Sequence, residues 1–242
     1  MTDTELARSI AAEAGALLRR IRAEGREQGR ALGDRGDREA NALILARLAA
    51  ERPDDRVLSE EASDDLSRCT RQRVWIVDPL DGTREYSEGR DDWAVHVGLS
   101  IDCRPAVGAV ALPDRGEVLA SGDPVAAAPG RPRPIMVVSR TRPPEVALKV
   151  AEAIGADLLP MGSAGAKAMA VVDGRADIYL HAGGQFEWDN CAPVAVAVAA
   201  GLHASRIDGS PLVYNCADPL LPDLLICRPD LARSIVDVVN GA

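Results

Sequence analysis

The chain is predicted to be a mixed fold, α+β in its first half and α/β in its second. Three observations lead there. A helical apolar period opens the chain, short β-like runs with turn signals fill residues 57–120, and strands alternate with helices beyond residue 135. At 242 residues the chain can bury a sizeable core as one large domain or two closely packed subdomains. Aromatic residues make up only 3%, so Ala, Val and Leu must fill most of the interior.

Leu6, Ile10, Ala14, Leu17, Leu18 and Ile21 recur at helical spacing and predict an amphipathic helix over about 5–24. Gly25, Gly29 and Gly33 are expected to interrupt it. A second helix is expected from Arg38 to Ala50, with Leu43, Ile44 and Leu48 on one face and Pro53 beyond its end. Strands are expected at Val57-Leu58, Val74–Val77, Ala94–Ile101, Pro105–Ala111 and Glu117–Ala120. The third and fourth, joined by a tight Asp102-Cys103-Arg104 turn, read as an antiparallel hairpin.

Residues 123–134 are rich in Pro, Gly and Ala and read as a connector. One subdomain is therefore expected over 1–130 and a second over 131–242. In the second the expected order is strand (135–138), helix (143–154), strand (157–159), helix (164–172), strand (177–180), helix (190–200), strand (224–227) and a helix from about 230.

Charge narrows the function. A formal net charge of −9 opposes unassisted binding to nucleic acid or an anionic membrane and suits a collector of divalent cations. The first residues show no basic leader followed by an apolar core, and no apolar run is long enough to span a bilayer, so a cytoplasmic protein is expected. Cys69, Cys103, Cys191, Cys216 and Cys227 form no C-x-x-C pair and are expected to be reduced thiols, with Cys191 in a packing role.

The chemistry concentrates in Trp75-Ile-Val-Asp78-Pro79-Leu80-Asp81-Gly82-Thr83. An apolar run reads as a buried strand that delivers Asp78 and Asp81 onto a proline-constrained turn ending in Gly-Thr. Asp-Pro and Asp-Gly are also ordinary turn formers. Here the pair reads as a metal clamp or an acid/base pair, and the amides near Thr83 would face an anion at the start of a helix. Ser59-Glu60-Glu61 follows another β-like pair, and neighbouring strands that end on one edge bring their last residues together. Asp189, after Trp188, and Asp37 both read as helix caps that could also hold an ion.

Two carboxylates about 4 Å apart repel by about 4 kcal/mol at an effective dielectric near 20, so several converging would require cations. An oxygen-only set selects Mg²⁺ or Mn²⁺ over zinc, and the three histidines have no zinc spacing.

Together these segments resemble the lithium-sensitive, magnesium-dependent phosphatase superfamily, the inositol monophosphatase type. Its pattern of an early Asp, Glu-Glu, D-P-[IL]-D-G-T and W-D is met in order by Asp37, Glu60-Glu61, Asp78–Thr83 and Trp188-Asp189. Within it the chain resembles the CysQ-type 3′(2′),5′-bisphosphate nucleotidases of actinobacteria. The segments that carry this are Arg84-Glu85-Tyr86, Gly89–His96, Gly162–Met169, His181–Asp189 and Asp208–Asn215. The likeness runs from about Leu6 to the last helix.

The resemblance implies a layered α-β-α-β-α sandwich and removal of the 3′-phosphate from 3′-phosphoadenosine 5′-phosphate (PAP), with action on its sulfated analogue PAPS and a link to sulfur assimilation. Glu60, Asp78, the Leu80 carbonyl, Asp81 and Asp189 would bind two or three Mg²⁺, replaceable by Mn²⁺, with inhibition by Li⁺ and Ca²⁺. Most ligands would come from the first subdomain, and Asp189 from the second. Thr83, paired with Asp37 and acting with Glu60, would activate water, and the Gly82 and Thr83 amides would hold phosphate. Ser139, Arg140, Gly162, Ser163, Lys167 and Asp189 would receive the substrate, although Lys167 also fits a surface position on its helix.

Two departures stand out: Asp34 occupies a position where the family usually has Thr, and Leu180-His181 stands where several nucleotidases carry a phosphate-binding Arg. An inositol monophosphate or fructose 1,6-bisphosphate phosphatase is the nearest alternative, and a non-catalytic nucleotide or cation sensor a third. Small phosphorylated molecules are the expected partners, without nucleic acid polymer or membrane, and a homodimer is one option for assembly.

Overall fold

The computed structural model describes residues 1–124 and 131–241. Half of the expected connector at 123–134, residues 125–130, thus lies outside the described residues.

Five layers stack in the order helix, sheet, helix, sheet, helix. The outer helices α1 (Asp3–Glu24) and α2 (Gly29–Glu51) cover a sheet of β1 (Arg56–Ser59), β2 (Arg73–Asp81), β3 (Ala94–Ile101), β4 (Arg104–Leu112) and β5 (Glu117–Ala120), ordered β1-β2-β3-β4-β5. A short helix, α3 (Thr83–Ser87), leaves the end of β2. The second sheet holds β6 (Ile135–Ser139), β7 (Asp157–Met161), β8 (Ile178–Ala182), β9 (His203–Ser205) and β10 (Asp223–Cys227), ordered β7-β6-β8-β10-β9. Between the sheets lie α5 (Ala164–Val172) and α6 (Glu187–Ala199), while α4 (Glu145–Ile154) and α7 (Pro229–Val239) cover the far face. The layered sandwich expected from the resemblance is therefore present.

Strand alternation explains the layering. In β2, Trp75 and Val77 face α1 and α2, whereas Val74 and Ile76 face the central helices. In β10, Leu225 and Cys227 join the outer core, while Leu224 and Ile226 join the central one. Such a strand, apolar on both faces, belongs between two helical layers. Cys191 is fully buried in the central core, in keeping with a packing role, and all five cysteines are free.

Two helix boundaries differ from expectation. Thr2 and Glu5 cap α1 reciprocally, and Gly25 ends it at φ 65°. However, α2 begins at Gly29, not Arg38, so Asp37 lies inside the helix instead of capping it. Of the glycines read as interruptions, Gly25 ends α1 and Gly29 opens α2, but Gly33 lies inside α2 and serves close approach, since a Cβ there would fall 2.5 Å from Thr83 Cγ2. Helix α6 begins at Glu187, which makes Asp189 its third residue and not its N-cap. The short β9 was not anticipated, because its three residues show too little alternation. Among the described residues no helix is long and apolar enough to cross a membrane.

Candidate active site

The site is assembled at strand ends. β1 and β2 run parallel with Ser59 opposite Val77, so β1 ends where the acidic part of β2 begins and Glu60 comes to lie beside Asp78. Residues 78 and 81 are three apart and would face opposite sides of a regular strand. Pairing with β3 breaks between Asp78 opposite His96 and Asp81 opposite Ala94, which inserts one extra residue. The bulge turns both carboxylates to one side. Pro79, with no N–H, tolerates the interrupted ladder. The expected turn is thus a bulge within β2, and Asp78 Oδ1 stabilises it by accepting the Leu80 N–H at 3.0 Å.

Beyond the bulge Gly82 adopts φ 89° and opens α3 at Thr83. The Thr83 hydroxyl lies 3.1 Å from the Leu80 carbonyl and 3.4 Å from Asp37 Oδ2, two acceptors for one proton. Asp37 Oδ1 is buried with no protein partner. From the other half of the chain, Asp189 enters on the first turn of α6 and accepts the Phe186 N–H at 2.7 Å. Asp78, Asp81 and Asp189 each present an oxygen within 4.8 Å of the others.

Asp81 is gripped from both halves. It accepts the Ser163 hydroxyl, the Ala164 N–H at 3.1 Å and the Gly165 N–H at 2.6 Å, all from the start of α5, and His96 Nε2 lies 3.2 Å away. Burial favours its neutral form, but His96, Ser163 and Lys167 outweigh burial and hold it well below the usual carboxylate range. Its neighbours move the other way. Burial, then Glu60, Asp81 and Asp189, raises Asp78. Burial and Asp189 push Glu60 up to about 7, and burial and Asp81 push Asp189 to about 6. Burial, Glu61 and Glu60 push Asp37 to about 7.

An all-oxygen cluster that resists ionisation for want of positive charge fits hard divalent cations. Asp78, Asp81 and Asp189 are placed where they could hold one, with Glu60 beside Asp78 and the Leu80 carbonyl within the bulge.

A cleft of about 510 Å³ opens onto this cluster, lined by Asp81, Gly82, Thr83, Ser139, Arg140, Gly162, Ser163, Lys167 and Asp189 among others. Its size suits a small molecule. Lys167 is buried and not on the surface: Nζ donates to the Gly162 carbonyl at 3.2 Å and to the Ser163 carbonyl, above the Tyr179 ring. Arg140 spans the cleft to Glu85 at 3.0 Å and Glu88 at 3.1 Å. His181, at the position of the missing Arg, lines the cleft, and its Nε2 lies 2.9 Å from the Gly183 carbonyl. Burial keeps its pKa low. Asp34 pairs with Arg30 at 3.6 Å on the exposed side of α2.

His96 was not singled out for a role. The signal was available: a lone histidine in the otherwise apolar Ala94–Leu99 run must have a buried partner. Glu85, Tyr179 and Gln185 were also missed, and nothing in their local sequence marks them as cleft residues.

Comparison with known proteins agrees with this geometry. The model of the inositol monophosphatase family matches residues 2–130 and 133–238. A curated protein of Mycobacterium tuberculosis, named 3′-phosphoadenosine 5′-phosphate phosphatase, is 54% identical over 95% of this chain and 90% of its own length. The protein of the same name in Mycobacterium leprae is 52% identical over 99% and 94%. Among solved structures, CysQ from Bacteroides thetaiotaomicron superposes with a TM-score of 0.79 at 27% identity, covering 93% of this chain and 97% of that one. This chain belongs to the inositol monophosphatase family, on its CysQ-type branch.

Proposed function

We propose that the chain is a divalent-cation-dependent phosphomonoesterase that hydrolyses the 3′-phosphate of PAP to AMP and phosphate, and that of PAPS to the corresponding 5′-phosphosulfate. The observation that carries this reading is the Asp78, Asp81 and Asp189 oxygen cluster, within 4.8 Å, opening onto a cleft with Lys167 and Arg140. The names of the mycobacterial relatives supply the substrate.

Two or three Mg²⁺, or Mn²⁺ in their place, held by Glu60, Asp78, the Leu80 carbonyl, Asp81 and Asp189, would neutralise the phosphate and lower the pKa of a bound water. The Thr83 hydroxyl and Asp37 orient that water. Asp37, with one carboxylate oxygen 3.4 Å from the Thr83 hydroxyl and the other buried without a protein partner, is placed to take its proton, and Glu60 sits beside Asp78. Attack forms one P–O bond and breaks the bond to the 3′ oxygen, which takes up a proton as it leaves. The Gly82 and Thr83 amides hold the phosphate oxygens, and Ser139, Arg140, Gly162, Ser163 and Lys167 face the rest of the nucleotide.

Five free thiols suit a reducing cytoplasm, where sulfur assimilation would supply PAP. Phosphate release from PAP, PAPS, inositol monophosphate and fructose 1,6-bisphosphate, compared by kcat/KM in one preparation, tests the reading. The expected result is PAP turnover that needs Mg²⁺, is inhibited by Li⁺ and Ca²⁺, and is lost in Asp81→Asn. A higher kcat/KM on inositol monophosphate or fructose 1,6-bisphosphate would overturn the substrate assignment.

A further inference from the structure

A buried polar network outside the cleft ties the segment after Glu60 to the helix that carries Asp189. Arg68, in a short 3₁₀ turn (Ser67–Thr70), is 1% exposed. Its Nη1 donates to Asn215 Oδ1 at 2.9 Å, and its Nε donates to Asp64 at 2.9 Å. The Asn215 amide nitrogen donates to the carbonyls of Arg68 at 3.1 Å and Arg71 at 3.2 Å. Glu187, first residue of α6 and also 1% exposed, accepts the backbone N–H of Asn215 at 2.6 Å and of Cys216 at 2.8 Å.

The side-chain amide of Asn215 and both Glu187 oxygens are thus paired, and Arg68 Nη2 lies 2.8 Å from Asp64 as an ion pair, so these buried groups hold the two segments together. By contrast, the backbone at Glu60 is loosely held: its N–H reaches the Val77 carbonyl only at 3.4 Å, and residues 61–67 that follow are exposed. The next firm anchor along the chain is Arg68. On the other side, Glu187 stands two residues before Asp189.

We propose that Arg68, Asn215 and Glu187 form a positioning clamp that fixes Glu60 relative to Asp189 and thereby sets the affinity for divalent cations. It rests on the reading that these two carboxylates serve one cation cluster. None of the three residues touches the substrate cleft, so they act through the ligands and not on the reaction.

Mn²⁺ titration by calorimetry tests this without reference to turnover. Asn215→Gly removes the amide while keeping the backbone at its positive φ of 61°, and Arg68→Met removes the charge at similar length. Each is expected to raise the Kd for Mn²⁺ about tenfold, the loss typical when a group supporting a ligand is removed. The double variant should lose no more than the weaker-binding single, because the residues act as one unit. Half-saturating Mg²⁺ for phosphate release should shift by the same factor, with kcat at saturating Mg²⁺ unchanged.

Arg131→Met is the control, since it breaks an ion pair with the buried Asp177 (3.1 Å) beside the second sheet. An equal loss of Mn²⁺ affinity there would overturn the clamp in favour of general loosening. Wild-type affinity in folded Asn215→Gly would also overturn it, whether or not Arg68→Met folds. A wild-type protein that binds no Mn²⁺ overturns the clamp and the cation reading together. One that binds Mn²⁺ but leaves PAP intact overturns only the proposed function, and the affinities still decide the clamp.

Discussion

His96 Nε2 lies 3.2 Å from the Asp81 carboxylate, and its Nδ1 lies 3.0 Å from the Trp188 carbonyl. One fully buried ring thus joins the bulge of β2 to the residue just before Asp189. A carbonyl only accepts, so Nδ1 carries a proton. The ring sits tightly, since a Cβ at Gly165 would fall 2.1 Å from Nε2. Together with the donors from α5, it fixes the one carboxylate of the cluster that stays ionised.

His96→Asn should therefore weaken metal-dependent phosphate release about 10–100-fold at limiting Mg²⁺ while leaving the fold intact, because it loosens a ligand and does not remove it. Calorimetric Mn²⁺ affinity and circular dichroism check the two halves of this expectation. Wild-type turnover and affinity in the folded variant would show that Asp81 needs no support from the ring.

Thr83 and Asp37 are expected to act on the water and not on the cation. Thr83→Ala and Asp37→Asn should each lower kcat about 10²–10⁴-fold, the range for a group that moves a proton, with Mn²⁺ affinity near that of wild type. Thr83→Ser keeps the hydroxyl that lies 3.1 Å from the Leu80 carbonyl and should retain most activity. Equal losses in Thr83→Ser and Thr83→Ala would assign Thr83 to packing against Gly33.

The metal-free protein should lose stability as pH rises. Asp37 and Glu60 are pushed up to about 7 and Asp189 to about 6, against roughly 4 in an unfolded chain. Each binds its proton more tightly when folded, so its contribution is complete below pH of about 4 and disappears as pH rises through about 6–7. Asp81 is shifted the opposite way and stays charged throughout this window. Chelator-treated protein should melt lower at pH 8 than at pH 5, by about 5 °C or more given roughly 2–4 °C per kcal/mol at this size. Saturating Mg²⁺ should raise the Tm more at pH 8 than at pH 5. A metal-free Tm that is flat or rises over this range would refute the crowding of carboxylates.

The sequence made most of this legible where local rules and tertiary packing agree. Ala94–Ile101 and Glu117–Ala120 were legible to the residue, because apolar runs bounded by turn signals favour strands and the same runs pack against helical layers on both faces. The union of Glu60 with Asp78 followed from two short apolar runs ending in acids, and the parallel pairing of β1 with β2 produces it. What the sequence concealed depends on distant partners. Gly33 reads as a helix breaker until Thr83 is seen packed against it, and the choice for Lys167 between the substrate site and the surface is decided only by its burial above the Tyr179 ring. The bulge at Asp78–Asp81 looked like a turn, since only the register with β3 tells the two apart.

Gly98 and Gly108 are directly paired across β3 and β4, and together they form a notch for α6. A Cβ at Gly108 would fall 2.2 Å from the Ala192 carbonyl oxygen, and one at Gly98 would fall 2.9 Å from the Ala192 nitrogen. Both clashes are with backbone, so the helix must move. Gly108→Ala should cost about 1–3 kcal/mol, the usual penalty for overpacking, or a Tm lower by roughly 2–12 °C at this chain length. Ala192 lies three residues beyond Asp189 on the same helix, so displacing it also moves a carboxylate of the cluster. The variant should therefore bind Mn²⁺ more weakly even at 20 °C below its own Tm, where it is fully folded. If it melts lower yet keeps wild-type Mn²⁺ affinity, α6 adjusts around its first turn and the notch serves stability alone.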